Sequence, residues 1–512
     1  MELALTYGAP SGVSVGGGRT RVQLSGARER PVVKFRGSVR EPIAFREALS
    51  ALHDVVVSDF RWEPPAARAE FEQWLAAWVD RRAEGERARP DAQRRRFLRS
   101  FFEEERQLRR TVLDPVCSVH PDQVSFEGFS KDGSSYARVG LDRAGFEESG
   151  ETVCGTTNVD FSAGLYEAVR RLRSIWKSEL DLTPAAVQVT TEAKAHTEKK
   201  LDLPDAWVRG FLQLGSAFLL ESVNVELLPV HVHDICRFLR LHRARVSPRA
   251  LRWELHPEKP VTLVIEPWEH RMVFLGSRHG AREPRIIRVW GRQRLVLVER
   301  VLPLARSFVV SLLGRGLPYF VTARMGALDF TLGLSGWTKN DWTQTARFDA
   351  LVARRGSKAS ASPRPLAWLK EHFRGTPEEV ALGAGVPVAS VHASMVEASA
   401  LGLAVYDLLH GVYRYRPLFE NPVPLARDPR EVRAKELLAR TKVVGTRREL
   451  DGTLLVRGQV VEDEKHTYLP EVALADEGGV ARASCGCFFA KSTGMKEGLC
   501  EHEHALLLTF ED

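Results

Sequence analysis

The sequence predicts a multidomain α+β protein in three parts: a mixed α/β N-terminal body, a compact module of helices and a hairpin, and a small C-terminal unit of short strands and one helix. Three observations predict it. The length of 512 residues exceeds what one hydrophobic core organises, so three or four domains are expected. Segments with three- and four-residue apolar spacing are interspersed with segments of strand-like alternation. Half of the six cysteines fall within residues 485–500, which marks the C-terminus as a unit of its own.

Composition narrows the class. Hydrophobic content of 44% and charged content of 27% are those of a soluble globular chain. No apolar run reaches membrane-spanning length, and Met1-Glu2-Leu3-Ala4 lacks the basic and apolar regions of a leader. A cytoplasmic protein with no membrane partner is therefore expected. A reducing compartment favours metal ligation over disulfides for clustered cysteines. Cys117, Cys154 and Cys236 are scattered and read as inert core thiols.

Residues 1–116 read as a small sheet followed by a helical segment. Val32-Val33-Lys34-Phe35 and Val55-Val56-Val57 suggest strands, and Phe71, Trp74, Leu75, Trp78 and Val79 carry helical spacing within 66–110. Residues 117–350 read as an α+β body. A hairpin is expected over 124–139 around Lys131-Asp132-Gly133-Ser134, helices over 165–180, 207–221 and 302–313, and strands over 261–265, 271–275, 286–289 and 294–298. Trp- and Gly-rich stretches at 289–292, 332–338 and 340–342 read as domain-seam packing. His231 and His233 read as a helix-entry pair and not as a second metal site, because no matching pair follows.

A basic, Pro-ended linker at 354–364 leads to residues 363–420. There, 366–373 reads as a helix, and Thr376-Pro377-Glu378-Glu379 as an N-cap with Pro at the first helical position and Glu at the third. Residues 387–401 read as the next helix, and 402–407 with 412–415 as a hairpin through His410-Gly411. This order resembles a winged helix-turn-helix. Its recognition helix holds no Lys, Arg, Asn or Gln to read base edges. Arg414 and Arg416 in the wing, Arg364 and Lys370 on the first helix, and the cations over 427–448 are left to meet phosphates, which would give weak, salt-sensitive, sequence-indifferent binding.

Residues 440–512 form the last unit. Strands are expected over 453–461, 466–474 and 479–484, and a helix after Cys500 with Ala505 and Leu508 on its apolar stripe. Between them stand Cys485-Gly486-Cys487 and Cys500-Glu501-His502. Three thiols and one imidazole suit a tetrahedral zinc site, and His504 competes with His502 for the fourth position. The pattern Cys-x-Cys…Cys-x-His, with Ala three residues after the His, resembles the SWIM zinc finger over roughly residues 440–510. The resemblance implies Cys485, Cys487, Cys500 and His502 as ligands of one structural Zn2+. Leu203-Pro204-Asp205-Ala206-Trp207-Val208-Arg209-Gly210-Phe211 and the stretch 333–342 resemble the N-terminal portions of bacterial SWIM zinc finger family proteins. That likeness alone implies a partnership with MoxR-type ATPases and von Willebrand A-domain proteins.

Charge separates the two C-terminal units. Residues 345–450 hold 17 Lys and Arg against 11 Asp and Glu, a surplus of six; residues 451–512 hold 5 against 12, a deficit of seven. An acidic finger repels a phosphate backbone. No Walker A loop, His-Glu-x-x-His helix or Gly-x-Ser-x-Gly elbow is present, and Asp329, Asp341 and Asp349 are spaced too closely for a transposase-like triad. The expectation is a zinc-binding, non-enzymatic adaptor that works through protein interaction. The alternative is a DNA-binding protein whose basic winged-helix region clamps the duplex while the zinc finger braces it.

Overall fold

A computed structural model describes residues 3–5, 12–16, 19–26, 32–60, 115–159, 166, 169–175, 177–184, 201–203, 205–244, 248–314, 316–336, 342, 348, 361–418, 429–449, 454–474, 480–493 and 499–511. The helix expected within 66–110, the linker at 354–360, Trp337, Asp341 and Asp349 lie outside them. The protein is a mixed α+β assembly of several sheets.

The body is built on an antiparallel sheet of nine described strands. In spatial order they are Arg278–His279, Val223–Leu227, Ser307–Leu312, Tyr319–Met325, Leu328–Leu334, Ser135–Asp142, Gln123–Phe129, Val116–Val119 and Gly155–Asn158. Alternation sorts side chains onto two faces. One face is apolar: Val124, Phe126, Val139, Leu141, Phe330, Leu332 and Val321 are buried there. The helix Pro42–Val57 packs over the central strands, burying Phe45, Ala48, Leu49, Leu52, Val55 and Val56 at helical spacing. Val55-Val56-Val57 is thus the end of a helix and not the expected strand. Pro42 at the helix start and this three- and four-residue spacing outweigh the strand preference of three consecutive valines.

The second face carries cross-strand rows of polar groups. Glu127 pairs with Arg138, Arg138 with Thr331 and Thr331 with Thr322; Thr156 pairs with Ser118 and Ser118 with Ser125. A neighbouring row, Phe129, Tyr136 and Phe320, is aromatic. It meets Phe211 and Phe218 of the helix Asp205–Phe218, with ring centroids 4.8 Å apart for Phe129–Phe211 and 4.6 Å for Phe218–Phe320. Trp342 is fully buried against Phe129 and Phe320, inside the main apolar cluster. Asp329 accepts from Gln123 Nε2 at 3.0 Å across Gly140. A Cβ on Gly140 would collide with the Asp329 carboxylate and lie 2.7 Å from Gln123 Nε2. Only glycine admits that contact.

Three expectations in the body are corrected. Residues 165–180 were expected to be helical to their end, but Lys177–Pro184 is a strand between Arg19–Gly26 and Phe35–Val39. Strand pairing on both sides overrides local preference. Residues 294–298 belong to a 3₁₀ segment, Arg292–Arg300, entered through Gly291 at φ +85°. Arg292 and Arg294 turn inward and donate to the carbonyls of Glu266 and Ser134, and the Val-containing apolar run Leu295-Val296-Leu297-Val298 that follows mimicked a strand. Residues 302–313 hold a 3₁₀ turn, Leu302–Leu304, and the sheet strand Ser307–Leu312. Strands from 12–39, 146–148 and 177–184 also share one five-stranded sheet, and one apolar cluster runs from Val22 to Phe348. The segments 1–116 and 117–350 therefore contribute to a common core.

Residues 363–418 contain the expected helices, Pro363–His372, Pro377–Ala384 and Val388–Ala400, and the hairpin Ala404–Asp407 with Val412–Tyr415. A short strand, Arg374–Gly375, adds to the hairpin edge. Thr376 Oγ1 accepts from Glu379 N at 3.1 Å and Glu379 Oε2 accepts from Thr376 N at 2.8 Å, closing the capping box. This module is not detached. Val388–Ala400 packs on Asp205–Phe218, and the hairpin lies over the polar rows of the nine-stranded sheet. Arg416 Nη1 donates to both carboxylate oxygens of Glu127 at 2.9 Å. Arg414 donates to Asp122 at 2.7 Å and to Asp407 at 2.8 Å. Arg414 and Arg416 are 2% and 1% exposed. The expectation that these two arginines face phosphates is therefore corrected: Glu127 of the body takes Arg416, and Asp122 of the body with Asp407 of the hairpin takes Arg414. Among the described residues no single helix is long and apolar enough to cross a membrane.

Removing Glu127 strands a buried guanidinium. Glu127→Ala is expected to cost about 3–5 kcal/mol in denaturant unfolding. Thr376→Ala, which removes one exposed cap, should cost about 1 kcal/mol.

Candidate metal centre

The C-terminal unit is a sheet ordered Thr441–Arg448, Leu454–Val461, Glu471–Leu474 and Val480–Ser484, with Thr467–Tyr468 at the edge of Leu454–Val461. The helix Glu501–Glu511 lies across it. Leu506 and Leu507 pack with Val456, Val472, Leu474 and Leu499. Ala505 joins Ala434, Leu437 and Val460, which brings in the helix Pro429–Leu437. Gly458 is the closest approach: a Cβ there would collide with Leu506 Cδ1 and lie 3.1 Å from Lys442 O.

This packing fixes the four predicted ligands. Cys485 follows the strand Val480–Ser484, Cys487 precedes the short helix Phe488–Thr493, and Cys500 precedes Glu501–Glu511, with His502 in its first turn. The ligand atoms of Cys485, Cys487, Cys500 and His502 all lie within 4.8 Å of one another. Metal–sulfur bonds of about 2.3 Å impose a tetrahedral edge of roughly 3.7 Å, so the four converge on a volume the size of one ion. His504 is not a member of the cluster; two positions beyond His502, its side chain leaves by a different face of the helix. His231 and His233 gather no metal-like group among the described residues. They lie in the helix Pro229–Leu241, where His231 Nδ1 accepts from Leu228 N at 3.3 Å and the ring stacks on Phe274.

The imidazole orientation assigns its nitrogens. His502 Nδ1 stands 3.9 Å from Cys500 Sγ and faces the thiols. Nε2 is buried without a hydrogen-bond partner, its nearest anion being Glu462 Oε2 at 3.6 Å. Tyr468 covers the ring at 4.1 Å. Ligation through Nδ1 would leave Nε2–H aimed at a carboxylate, the outer partner that fixes the tautomer of a metal-bound histidine. Backbone donors reach the sulfurs as well: Ala490 N donates to Cys487 Sγ at 3.3 Å. Glu503 accepts from Cys500 N at 2.8 Å and so caps the helix that carries Cys500 and His502.

The thiols share protons unequally. A hydrogen bond with the Cys500 thiol, together with the His502 imidazole, pulls Cys485 down to about 4 despite its desolvation. The same Cys485 contact, and burial, push Cys500 up. Burial pushes Cys487 up. Burial opposes the charged form of His502, but the hydrogen bond and charge of Cys485 win and raise it. A donor set that gathers thiols around one thiolate, with the His502 Nδ1 facing them, is chemically suited to a cation replacing the shared protons.

Glu462 and Glu503 went unnoticed in the sequence. Glu503 carries a legible signal, since Cys500-Glu501-His502-Glu503 places an acid three residues after the cap. Glu462 carries none, because only strand pairing brings it to His502. A charge signal was also missed. Residues 229–300 hold 15 Lys and Arg against seven Asp and Glu, a surplus of eight, whereas the whole chain carries +7. Arg237, Arg243, Arg278, Arg282 and Arg285 are exposed there.

No family model matches the chain, and no curated protein matches it. Among solved structures, it is similar to Proliferating Cellular Nuclear Antigen from Entamoeba histolytica at 10% identity, over 59% of this chain and 98% of that one, with a TM-score of 0.36. So loose a likeness says nothing of what this chain does.

Three substitutions test the centre. His502→Ala should abolish metal binding and loosen the C-terminal unit, while His504→Ala should leave metal content unchanged, both read by metal analysis. Glu462→Gln should keep the metal but lower its affinity roughly 10- to 100-fold in chelator competition.

Proposed function

We propose that the chain is a zinc-binding, non-enzymatic adaptor with a SWIM-type finger at its C-terminus and a winged-helix-like module serving as an internal docking unit. The observation that carries this reading is the convergence of four protein donors, Cys485, Cys487, Cys500 and His502. A four-ligand shell leaves no open position for substrate or activated water, so the ion's role is structural. The apolar clusters of the unit are small, which makes metal binding a large share of its folding free energy. Three sulfurs and one nitrogen favour zinc over the hard cations.

Burial of Arg414 and Arg416 supports the protein-docking reading of the winged-helix-like module. Its wing cations are already paired, and Val388–Ala400 spends one face on the body. The partner is then a protein, and a MoxR-type ATPase or a von Willebrand A-domain protein follows from the resemblance alone. A second reading, nucleic-acid binding, is favoured by one observation: the positive surplus of 229–300. A polyanion would lie on the body and not on the wing.

The purified chain is expected to carry one zinc, released on thiol modification; two per chain would return His231 and His233 to consideration. Titration with random and genomic duplexes at two salt concentrations separates the readings. The adaptor reading expects weak, non-selective binding of roughly 10⁻⁴ to 10⁻⁶ M near physiological salt. Sequence-selective binding tighter than about 10⁻⁸ M would overturn it.

A further inference from the structure

The hairpin and the nine-stranded sheet do not close fully on one another. Between them lies a cavity of about 40 Å³, room for roughly three water-sized groups. Its floor is the polar face of the sheet, including Ser125, Ser311, Thr322 and Thr331, and Arg416 stands in its wall.

Counting donors and acceptors shows what is missing. Both oxygens of Glu127 accept from Arg416 Nη1, and one also accepts from Tyr136 OH at 2.7 Å. Asp407 accepts from Arg414, Arg138 and His410 and from the backbone N–H groups of Leu409 and His410. The Asp407 carboxylate is filled; Glu127 Oε1 keeps a lone pair, and His120, whose Nε2–H goes to Tyr415 O at 3.0 Å, leaves Nδ1 as a buried acceptor. Donors are left over. Arg416 engages only Nη1; its Nε and Nη2 are buried without a hydrogen-bond partner, and its guanidinium lies over the Phe211 ring at 5.2 Å. Thr322 Oγ1 and Thr331 Oγ1 are 2.9 Å apart. One donates to the other, so the second hydroxyl keeps a proton to give. Arg138 and Arg414 take further carboxylates from beyond the lining, Asp329 and Asp122, so Arg416 is the guanidinium of the lining with donors to spare. Buried donors with nothing to donate to cost about 1–3 kcal/mol each, and a compact acceptor would satisfy several at once.

We propose that this cavity is a binding site for a small oxyanion, either a phosphate- or sulfate-like group or the carboxylate of a small metabolite, held by Arg416 and the hydroxyls of Ser125, Ser311, Thr322 and Thr331. Because Arg416 follows the hairpin and the hydroxyls belong to the sheet, a bound anion bridges the two and tightens their docking. Occupancy would thus report to the module that Val388–Ala400 and the hairpin present on the surface.

The test is calorimetric titration of the full zinc-loaded chain with inorganic phosphate, sulfate and acetate, alongside thermal unfolding in each. The expected result is saturable binding of at least one anion with a rise in Tm; competition between phosphate and sulfate identifies a tetrahedral oxyanion, and binding of acetate alone identifies a carboxylate. Arg416→Lys keeps a cation for Glu127 but removes the two spare donors, and should weaken binding roughly tenfold or more. Thr331→Val keeps the shape, loses the hydroxyl and should also weaken binding with zinc content and circular dichroism unchanged. If Arg416→Lys does not fold, Thr331→Val decides. Absence of saturable binding by all three anions, or an affinity unchanged in Thr331→Val, would overturn the proposal.

Discussion

The contact on which the rest of this architecture depends is the charged layer between the nine-stranded sheet and the hairpin. An antiparallel sheet can leave one face to water, but here the polar face is covered. Glu127 and Arg416, and Asp122, Asp407, Arg138 and Arg414, neutralise one another in that layer. Burying such groups is tolerable only when each meets a counter-charge. The pairing therefore selects where the hairpin sits more than it adds stability. Asp407 is held well below its usual range: Arg138 and Arg414 overcome the desolvation that would raise it. Asp329, one row away, is raised by burial despite Arg138.

That layer sets what residues 363–418 are free to do. A hairpin whose Arg414 and Arg416 are buried has neither of them left to grip phosphate. The helix Val388–Ala400, which carries no Lys, Arg, Asn or Gln, spends one face on Asp205–Phe218. An excess of exposed positive charge lies on the body between residues 229 and 300, and Arg364, Lys370, Lys442, Arg447 and Arg448 are exposed as well. The acidic C-terminal unit is built differently. Its apolar clusters are small, and its thiols and one imidazole converge where an ion would supply the cross-link of a larger core.

Local signals carried far in the C-terminal third. The capping box at Thr376 and Glu379 is read from four adjacent residues, and the structure closes it. The spacing of Cys485, Cys487, Cys500 and His502, followed by an apolar stripe, placed the ligands between a strand end and a helix start, where they are found. The hairpin around Lys131-Asp132-Gly133-Ser134 and the helix over 205–218 were likewise legible. Readings failed where neighbours far along the chain decided the outcome. Lys177–Pro184 became a strand because edges on both sides accepted it, and residues 294–298 lost strand character because Arg292 and Arg294 found buried carbonyls.

The sequence by itself determined the elements whose causes lie within a few residues: caps, turns, apolar stripes and the metal-ligand spacing. Those depend on backbone geometry and side-chain reach over one or two turns. Tertiary structure alone decided which face of the central sheet is polar and covered, which carboxylates claim Arg414 and Arg416, and that Glu462 stands beside His502. Apart from Asp407 and Arg414, seven positions apart, these contacts join groups separated by 40 to nearly 300 positions, and burial, through desolvation, turns such meetings into strong constraints. The same arginines would be solvated surface cations if the hairpin were undocked, and nothing in their local sequence distinguishes the two states.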